Sequence, residues 1–306
     1  MVLNRNARRL LGRDGLRDSL ARTADRCGAR LHETRDLGDL ERVALDIAGR
    51  GTEAVILAGG DGSCMAGVSA LRRAFGEGCL PAIAFAQAGT VGTIAHNIDG
   101  RRVAPEAVVQ AVCDGAARRL RWPTLRVDDD AARKHVGFIF GGGLVQRFFE
   151  IYDVSARGVR VAAGIVARAF VGSLVGSKFA RKMLEPVAFT VAIDGRAQPA
   201  PSYSLLVASV VRDVGLGLRL NYRAAEEQAR FHVVGSALPA ELLGPQMVRV
   251  LAGRPLRGEP RIDVLAASLR VDFTGEDGAY VLDGDLFRAR WATIVAGPVL
   301  TLLAAP

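Results

Sequence analysis

The residues whose types and spacing most clearly allow chemistry are Gly59-Gly60-Asp61-Gly62-Ser63. They follow an apolar run, Ala54-Val55-Ile56-Leu57-Ala58, that reads as a buried strand. After them Cys64, Val68, Leu71 and Phe75 recur at helical spacing. Glycines let a backbone approach a ligand and point N–H groups at it. The helix start that follows favours negative charge. An aspartate in such a turn can hold a cation against phosphate oxygens. The run therefore reads as a phosphate-binding turn, suited to a nucleoside triphosphate with magnesium. Its plainer reading is a tight strand-to-helix turn whose glycines meet only steric needs.

Such a turn needs a scaffold, and the first 121 residues supply one. Strand-like patterns at 2–3, 30–33, 54–58 and 80–86 alternate with helix-like patterns at 7–27, around Leu40–Val43–Ala44–Ile47, and at 63–75. Pro105 opens a further helix expected to run toward Leu120. This alternation implies a Rossmann-like parallel sheet covered by helices. After Trp122-Pro123 the texture changes to short β-type runs, punctuated by Asp194-Gly195, Asp277-Gly278 and Asp283-Gly284. The expected fold is thus α/β followed by mainly β. An N-terminal nucleotide domain spans 1–121, with the tail 297–306 as a candidate to return to it. An antiparallel, β-sandwich-like domain spans 122–296, with a long helical region at 144–184.

Composition narrows the class. The chain has 306 residues, half of them hydrophobic, and a net charge of +8. Only Lys134, Lys178 and Lys182 are lysines, so the positive charge is almost all arginine. A basic surface suits nucleic acid, anionic lipid or phosphorylated ligands. No helix-turn-helix, zinc-finger or RNA-binding signature accompanies it, which argues against nucleic acid. Cys27, Cys64, Cys79 and Cys113 are scattered without a C-x-x-C pair, which suits reduced thiols in a cytoplasm. No secretory leader pattern and no uninterrupted membrane-length apolar run is expected. Between 154 and 184 there are six basic residues and no acidic one, interleaved with apolar residues. That segment reads either as a membrane-facing element or as an ordinary helix pair with solvated arginines.

The glycine-aspartate run resembles the GGDGT signature of the diacylglycerol kinase catalytic-domain family, which includes bacterial diacylglycerol kinases and the sphingosine and ceramide kinases. Ala88-Gly89-Thr90-Val91-Gly92-Thr93-Ile94-Ala95 resembles its second nucleotide loop. Val281-Leu282-Asp283-Gly284-Asp285 resembles its DGE motif, Gly297-Pro298-Val299-Leu300 its closing segment, and Val2-Leu3-Asn4 its opening strand. The departures are Gly92 for the usual asparagine, Ala66 for a common glutamate, and Asp285 for glutamate. The opening loop Asn4-Arg5-Asn6-Ala7-Arg8-Arg9 also lacks the family's glycine. Phosphofructokinases and NAD kinases share the first motif, but neither accounts for Asp283-Gly284-Asp285 or for the β-rich second half.

The resemblance implies an ATP- and Mg2+-dependent lipid kinase. Gly59, Gly60, Gly62, Ser63, Gly89 and Thr90 are assigned to the nucleotide phosphates, Asn4 to the nucleotide at the sheet edge, and Asp61 to the metal. Asp283 is the implied general base, and Asp285 tunes it or joins the magnesium shell. Arg5, Arg8 and Arg9 either stabilise transferred charge or are solvated residues of a helix start. The acceptor is a diacylglycerol, ceramide or sphingoid lipid, held in the second domain where Gly141-Gly142-Gly143 would let the backbone approach it. The enzyme is expected in the cytoplasm, peripheral at an anionic inner membrane face. Two alternatives stand beside this: a nucleotide- or lipid-binding protein without turnover, and a kinase of a soluble metabolite.

Overall fold

The chain, described here from a computed structural model at residues 1–7, 14–89, 92–154, 158–274 and 278–306, divides into two compact units. The first comprises Met1–Trp122 with Val299–Pro306, the second Pro123–Pro298.

The first unit runs β1 (Val2–Asn4), α1 (Asp14–Arg26), β2 (His32–Thr34), α2 (Leu37–Gly49), β3 (Ala54–Gly59), α3 (Asp61–Phe75), β4 (Ala82–Gln87), α4 (Thr93–Asp99), α5 (Pro105–Cys113) and β5 (Arg118–Trp122). Its sheet orders β2-β1-β3-β4, then the C-terminal strand Leu300–Ala304, then β5. All pairs are parallel except the last, where β5 runs against the C-terminal strand. Strands β3 and β4 are apolar on both faces because both faces are covered. Ile56, Ala58, Ala84 and Ala86 join Leu20 of α1 and Val109 of α5 in one core. On the other face Leu57 packs against Gly67 of α3. Asp36 caps α2 by accepting from the Asp39 N–H at 2.7 Å.

The helix opened by Pro105 does not reach Leu120. It ends at Cys113, and Arg118–Trp122 is a strand. Gly115 adopts φ +68°, and the Ala116 N–H donates to Ala111 O, which closes the helix as a left-handed cap.

The second unit holds two antiparallel sheets. One orders Arg196–Ala197, Val187–Ile193, Ser268–Phe273, Trp291–Ala296, Leu125–Asp129 and Lys134–Gly137. The other orders Arg261–Ala266, Phe231–Ser236, Leu205–Ser209, Ile139–Gly143, Ala279–Leu282 and Asp285–Arg288. Phe189 of the first sheet reaches Gly142 of the second. The Tyr280 hydroxyl of the second donates to Asp129 Oδ2 of the first at 2.8 Å, and Arg133 Nε donates to the same oxygen at 2.6 Å. Asp129 is buried with a cationic partner, so the Tyr280 bond is charge-assisted. Tyr280→Phe is expected to cost about 1–3 kcal/mol of unfolding free energy, read from urea midpoints at constant slope.

The helical region at 144–184 consists of three helices: α6 (Leu144–Val154), α7 (Val159–Leu174) and α8 (Lys178–Leu184). Gly176, at φ +64°, separates the last two, which meet at 108°. Among the described residues no single helix is long and apolar enough to cross a membrane.

Candidate active site

The sheet of the first unit brings two glycine turns together. Strands β3 and β4 are adjacent and parallel, with Gly59 opposite Gln87 at their C-terminal ends. The carboxyl ends of such strands are where open α/β sheets bind ligands. The turns touch: a Cβ on Gly89 would lie 2.5 Å from Gly60 Cα, and one on Gly59 would lie 2.8 Å from Ser63 Cβ. Glycine at 59 and 89 is therefore demanded by packing within the protein itself. Gly60 is different, since a Cβ there meets Gly89 Cα only at an ordinary 3.5 Å.

Helix α3 starts at Asp61 with Gly60 as its N-cap, and no capping side chain closes its first turn. Gly62 and Ser63 belong to that turn. An uncapped first turn directs N–H groups outward and suits an anion. Ser63 Oγ accepts from Asn4 Nδ2 at 2.6 Å, and Asn4 Oδ1 accepts from the Asn6 N–H at 2.9 Å. Asn4 thus fastens α3 to the end of β1. Thr90 lies outside the described residues, as do Arg8 and Arg9. Arg5 sits 3.7 Å from Glu33, in an ion pair.

Asp61 joins the first turn to the second. Its Oδ2 accepts from the Thr93 N–H at 2.9 Å and its Oδ1 from the Ile94 N–H at 3.3 Å. Helix α4 has Gly92 as its N-cap, at φ +70° and without a side chain to cap it, and the carboxylate of α3 serves in its place. Burial pushes the Asp61 carboxyl above its ordinary range, against the pull of the N–H groups of Thr93, Ile94 and Gly92. Among the described residues no group of three or more His, Cys, Asp or Glu side chains could hold a metal. The residues therefore offer magnesium no protein cage. An ion here would have to arrive with nucleotide phosphates and its own waters, with Asp61 as a single carboxylate beside it.

Helix α4 and Gln87 were not foreseen from sequence. Gln87 wedges between the turns, with its Cγ 2.8 Å from where a Gly92 Cβ would stand. Its Nε2 is buried and has no hydrogen-bond partner among the described residues. The pair Ile94 and Ile98 at i, i+4 after a glycine was the available helix signal. Gly89→Ala should force the turns apart. The expected result is a loss of about 2–3 kcal/mol in stability by thermal melts, and weaker binding of a nucleotide analogue by calorimetry.

In the second unit Asp283 and Gly284 form the turn between Ala279–Leu282 and Asp285–Arg288, where Leu282 pairs with Asp285. Their φ values, +48° and +96°, are those of a type I′ hairpin turn. Asp283 is only 7% exposed. Its Oδ2 accepts from the Phe138 N–H and its Oδ1 from the Ile139 N–H, both at 2.9 Å. Those donors lie where the chain leaves one sheet for the other. Asp283 therefore holds that crossover to the hairpin. Asp285, two residues on, is exposed. Two glycines of 141–143 are used by the protein itself: a Cβ on Gly141 would collide with Val145, and one on Gly143 with the Ser204 backbone.

Residues 1–123 match the family model "Diacylglycerol kinase catalytic domain". Over its whole length the chain is similar to two proteins from Bacillus anthracis str. Sterne. One is a candidate diacylglycerol kinase, at TM-score 0.70 and 13% identity, with 100% of this chain and 94% of that one covered. The other is a diacylglycerol kinase, at TM-score 0.66 and 12% identity, covering 100% and 96%. An NAD kinase from Archaeoglobus fulgidus, solved in complex with ATP, is similar at TM-score 0.50 and 12% identity, covering 100% and 92%. At these identities the likeness shows the fold: a parallel-sheet α/β unit with antiparallel sheets in the C-terminal region. No curated protein is similar enough in sequence to match.

Proposed function

We propose that this protein is an ATP-dependent kinase that phosphorylates the hydroxyl of a membrane lipid of diacylglycerol, ceramide or sphingoid type. The observation that carries the reading is the junction of two glycine turns at the ends of adjacent parallel strands, locked by Asp61 to the start of α4. The family match over 1–123 supports a kinase, and the ATP complex of the similar NAD kinase supports the donor.

Phosphoryl transfer asks a protein mainly for positioning and charge stabilisation. The first turn of α3 would receive the nucleotide phosphates, with Gly60 leaving room for them. Asn4 and Ser63 hold that turn at a fixed angle. Asp283 would take the proton of the lipid hydroxyl as its oxygen bonds the terminal phosphorus and the bond to the departing diphosphate breaks. Asp285 would assist from the exposed side of the same turn. The enzyme would work from the cytoplasm at the inner face of a membrane.

A second reading, a nucleotide- or lipid-binding protein without turnover, is favoured by one observation: both Asp61 oxygens already serve α4. The experiment is transfer of label from γ-labelled ATP with magnesium to diacylglycerol, ceramide, sphingosine and monoacylglycerol in mixed micelles, with a soluble-acceptor panel beside it. A labelled lipid supports the proposal and names the acceptor. Label only in a soluble acceptor, or ATP binding without any transfer, overturns it.

A further inference from the structure

We infer that α7, α8 and the segment at 242–258 form one face that docks on an anionic lipid bilayer. The inference rests on the proposed reading of an enzyme working at a membrane face and names the surface that meets it; vesicle binding and phosphoryl transfer are separate readouts, so either can fail alone.

The exposed positions of α7 are two arginines, Arg160 and Arg168, and otherwise alanine, glycine, Val171 and Leu174. Its opposite side is also apolar, with Ile165 and Ala169 packed against Met183. Apart from Arg160 and Arg168, the outward side of α7 carries no polar side chain. That side has no protein against it in the described chain. Of the ten large hydrophobic side chains exposed among the described residues, six cluster in this region: Val171, Leu174, Val175, Leu242, Val248 and Leu251, each 50% to 74% exposed.

The fold joins these residues although they come from separate segments. Gly244 lies so close against Ser173 that a Cβ there would overlap its side chain. Arg181 Nε meets Glu241 Oε1 at 2.8 Å, which ties α8 to the start of the other segment. Charge then decides among occupants. No acidic residue occurs from Gly158 to Leu184 or from Leu242 to Gly258. The acids that border the two segments are matched by arginines: Glu241 by Arg181, Glu185 by Arg147 and Glu259 by Arg261. Lys178, Lys182, Arg249, Arg254 and Arg257 flank the apolar cluster with no acid on either segment to balance them. Apolar side chains set in a rim of cations fit acyl chains beneath anionic headgroups. A second copy of the chain would bring the same cations against themselves.

The test is flotation of the full chain, without nucleotide, on vesicles of phosphatidylcholine alone and of phosphatidylcholine with phosphatidylglycerol. Binding is expected on the anionic vesicles, to weaken with added salt, and to be far weaker on the neutral ones. Leu174→Glu/Val175→Glu should reduce it by about tenfold or more, by removing two inserted side chains. Lys178→Glu/Lys182→Glu should reduce it by about fivefold for each charge lost. All four side chains are exposed, so unchanged circular dichroism and melting temperature should confirm folded variants. Wild-type protein that binds neither vesicle, or variants that bind as wild type does, would overturn the inference. So would a concentration-dependent dimer that Leu174→Glu/Val175→Glu dissociates in the absence of vesicle binding, since the face would then belong to a second copy.

Discussion

Asp61→Ala is expected to abolish measurable phosphoryl transfer, a loss of at least about a hundredfold, on any acceptor that the wild-type protein labels. The reason is geometric. Asp61 is the tie between the two glycine turns, and its loss leaves the Thr93 and Ile94 N–H groups without their acceptor. The start of α4 would then drift, and the second turn with it. Stability should change far less than activity. The abandoned N–H groups cost about 1–3 kcal/mol, but removing a charge held in a buried place returns part of that. The sign of the pH dependence follows from the cause of the shift. Burial, the larger influence, raises the Asp61 carboxyl above its ordinary range. A carboxyl raised in the folded state contributes its full stability below the unfolded pKa of about 4, and loses it as pH rises through the folded value. The alanine variant lacks that contribution. Urea unfolding should therefore show the wild type gaining on the variant as pH falls from neutrality. A wild type that loses ground on acidification would show that the N–H groups of Thr93 and Ile94, and not burial, dominate the Asp61 carboxyl.

Asp283→Asn is expected to lower turnover by about a hundred- to ten-thousandfold, the usual range for a lost general base, while nucleotide binding stays unchanged. Asparagine tolerates the left-handed φ of +48° at this turn and keeps one carbonyl acceptor for the N–H groups of Phe138 and Ile139. The hairpin should therefore survive, at a cost of about 1–2 kcal/mol. Asp283→Ala removes both acceptors and places a residue with no local hydrogen bond in the same backbone region, so it should melt lower than Asp283→Asn. Steady-state kinetics together with calorimetric ATP binding separates the two roles. If Asp283→Asn turns over like the wild type yet melts low, Asp283 anchors the crossover between sheets and does no proton transfer.

Much of the architecture was legible in the sequence because it is written locally. The runs at β3 and β4 are continuous and apolar, as strands covered on both faces must be, and Asp194-Gly195 and Asp283-Gly284 mark hairpins in the second half, while Asp277 lies outside the described residues. One misreading was also local. Alanines after Cys113 prolong the helical pattern of α5, and a single left-handed glycine overrides it. The decisive ties of the candidate site could not be read at all. Asp61 meets Thr93 across 32 positions, and Asp283 meets Phe138 across 145. No periodicity records such a meeting. The sequence shows an aspartate in a glycine turn; only the folded chain shows that its oxygens are spent on another helix.

The placement of Leu300–Ala304 between β4 and β5 bears on how the protein is made. The first unit takes its strands from both sides of the second in the sequence, so its sheet cannot close until Leu300–Ala304, which follow the second unit, are in place. Until then β4 and β5 lack the strand that joins them, and open strand edges are templates for association. The second unit is continuous in sequence and can finish first, so completion of the two units runs opposite to their order of synthesis. A fragment cut at residue 123, where the family match ends, would carry both glycine turns on a sheet missing an inner strand.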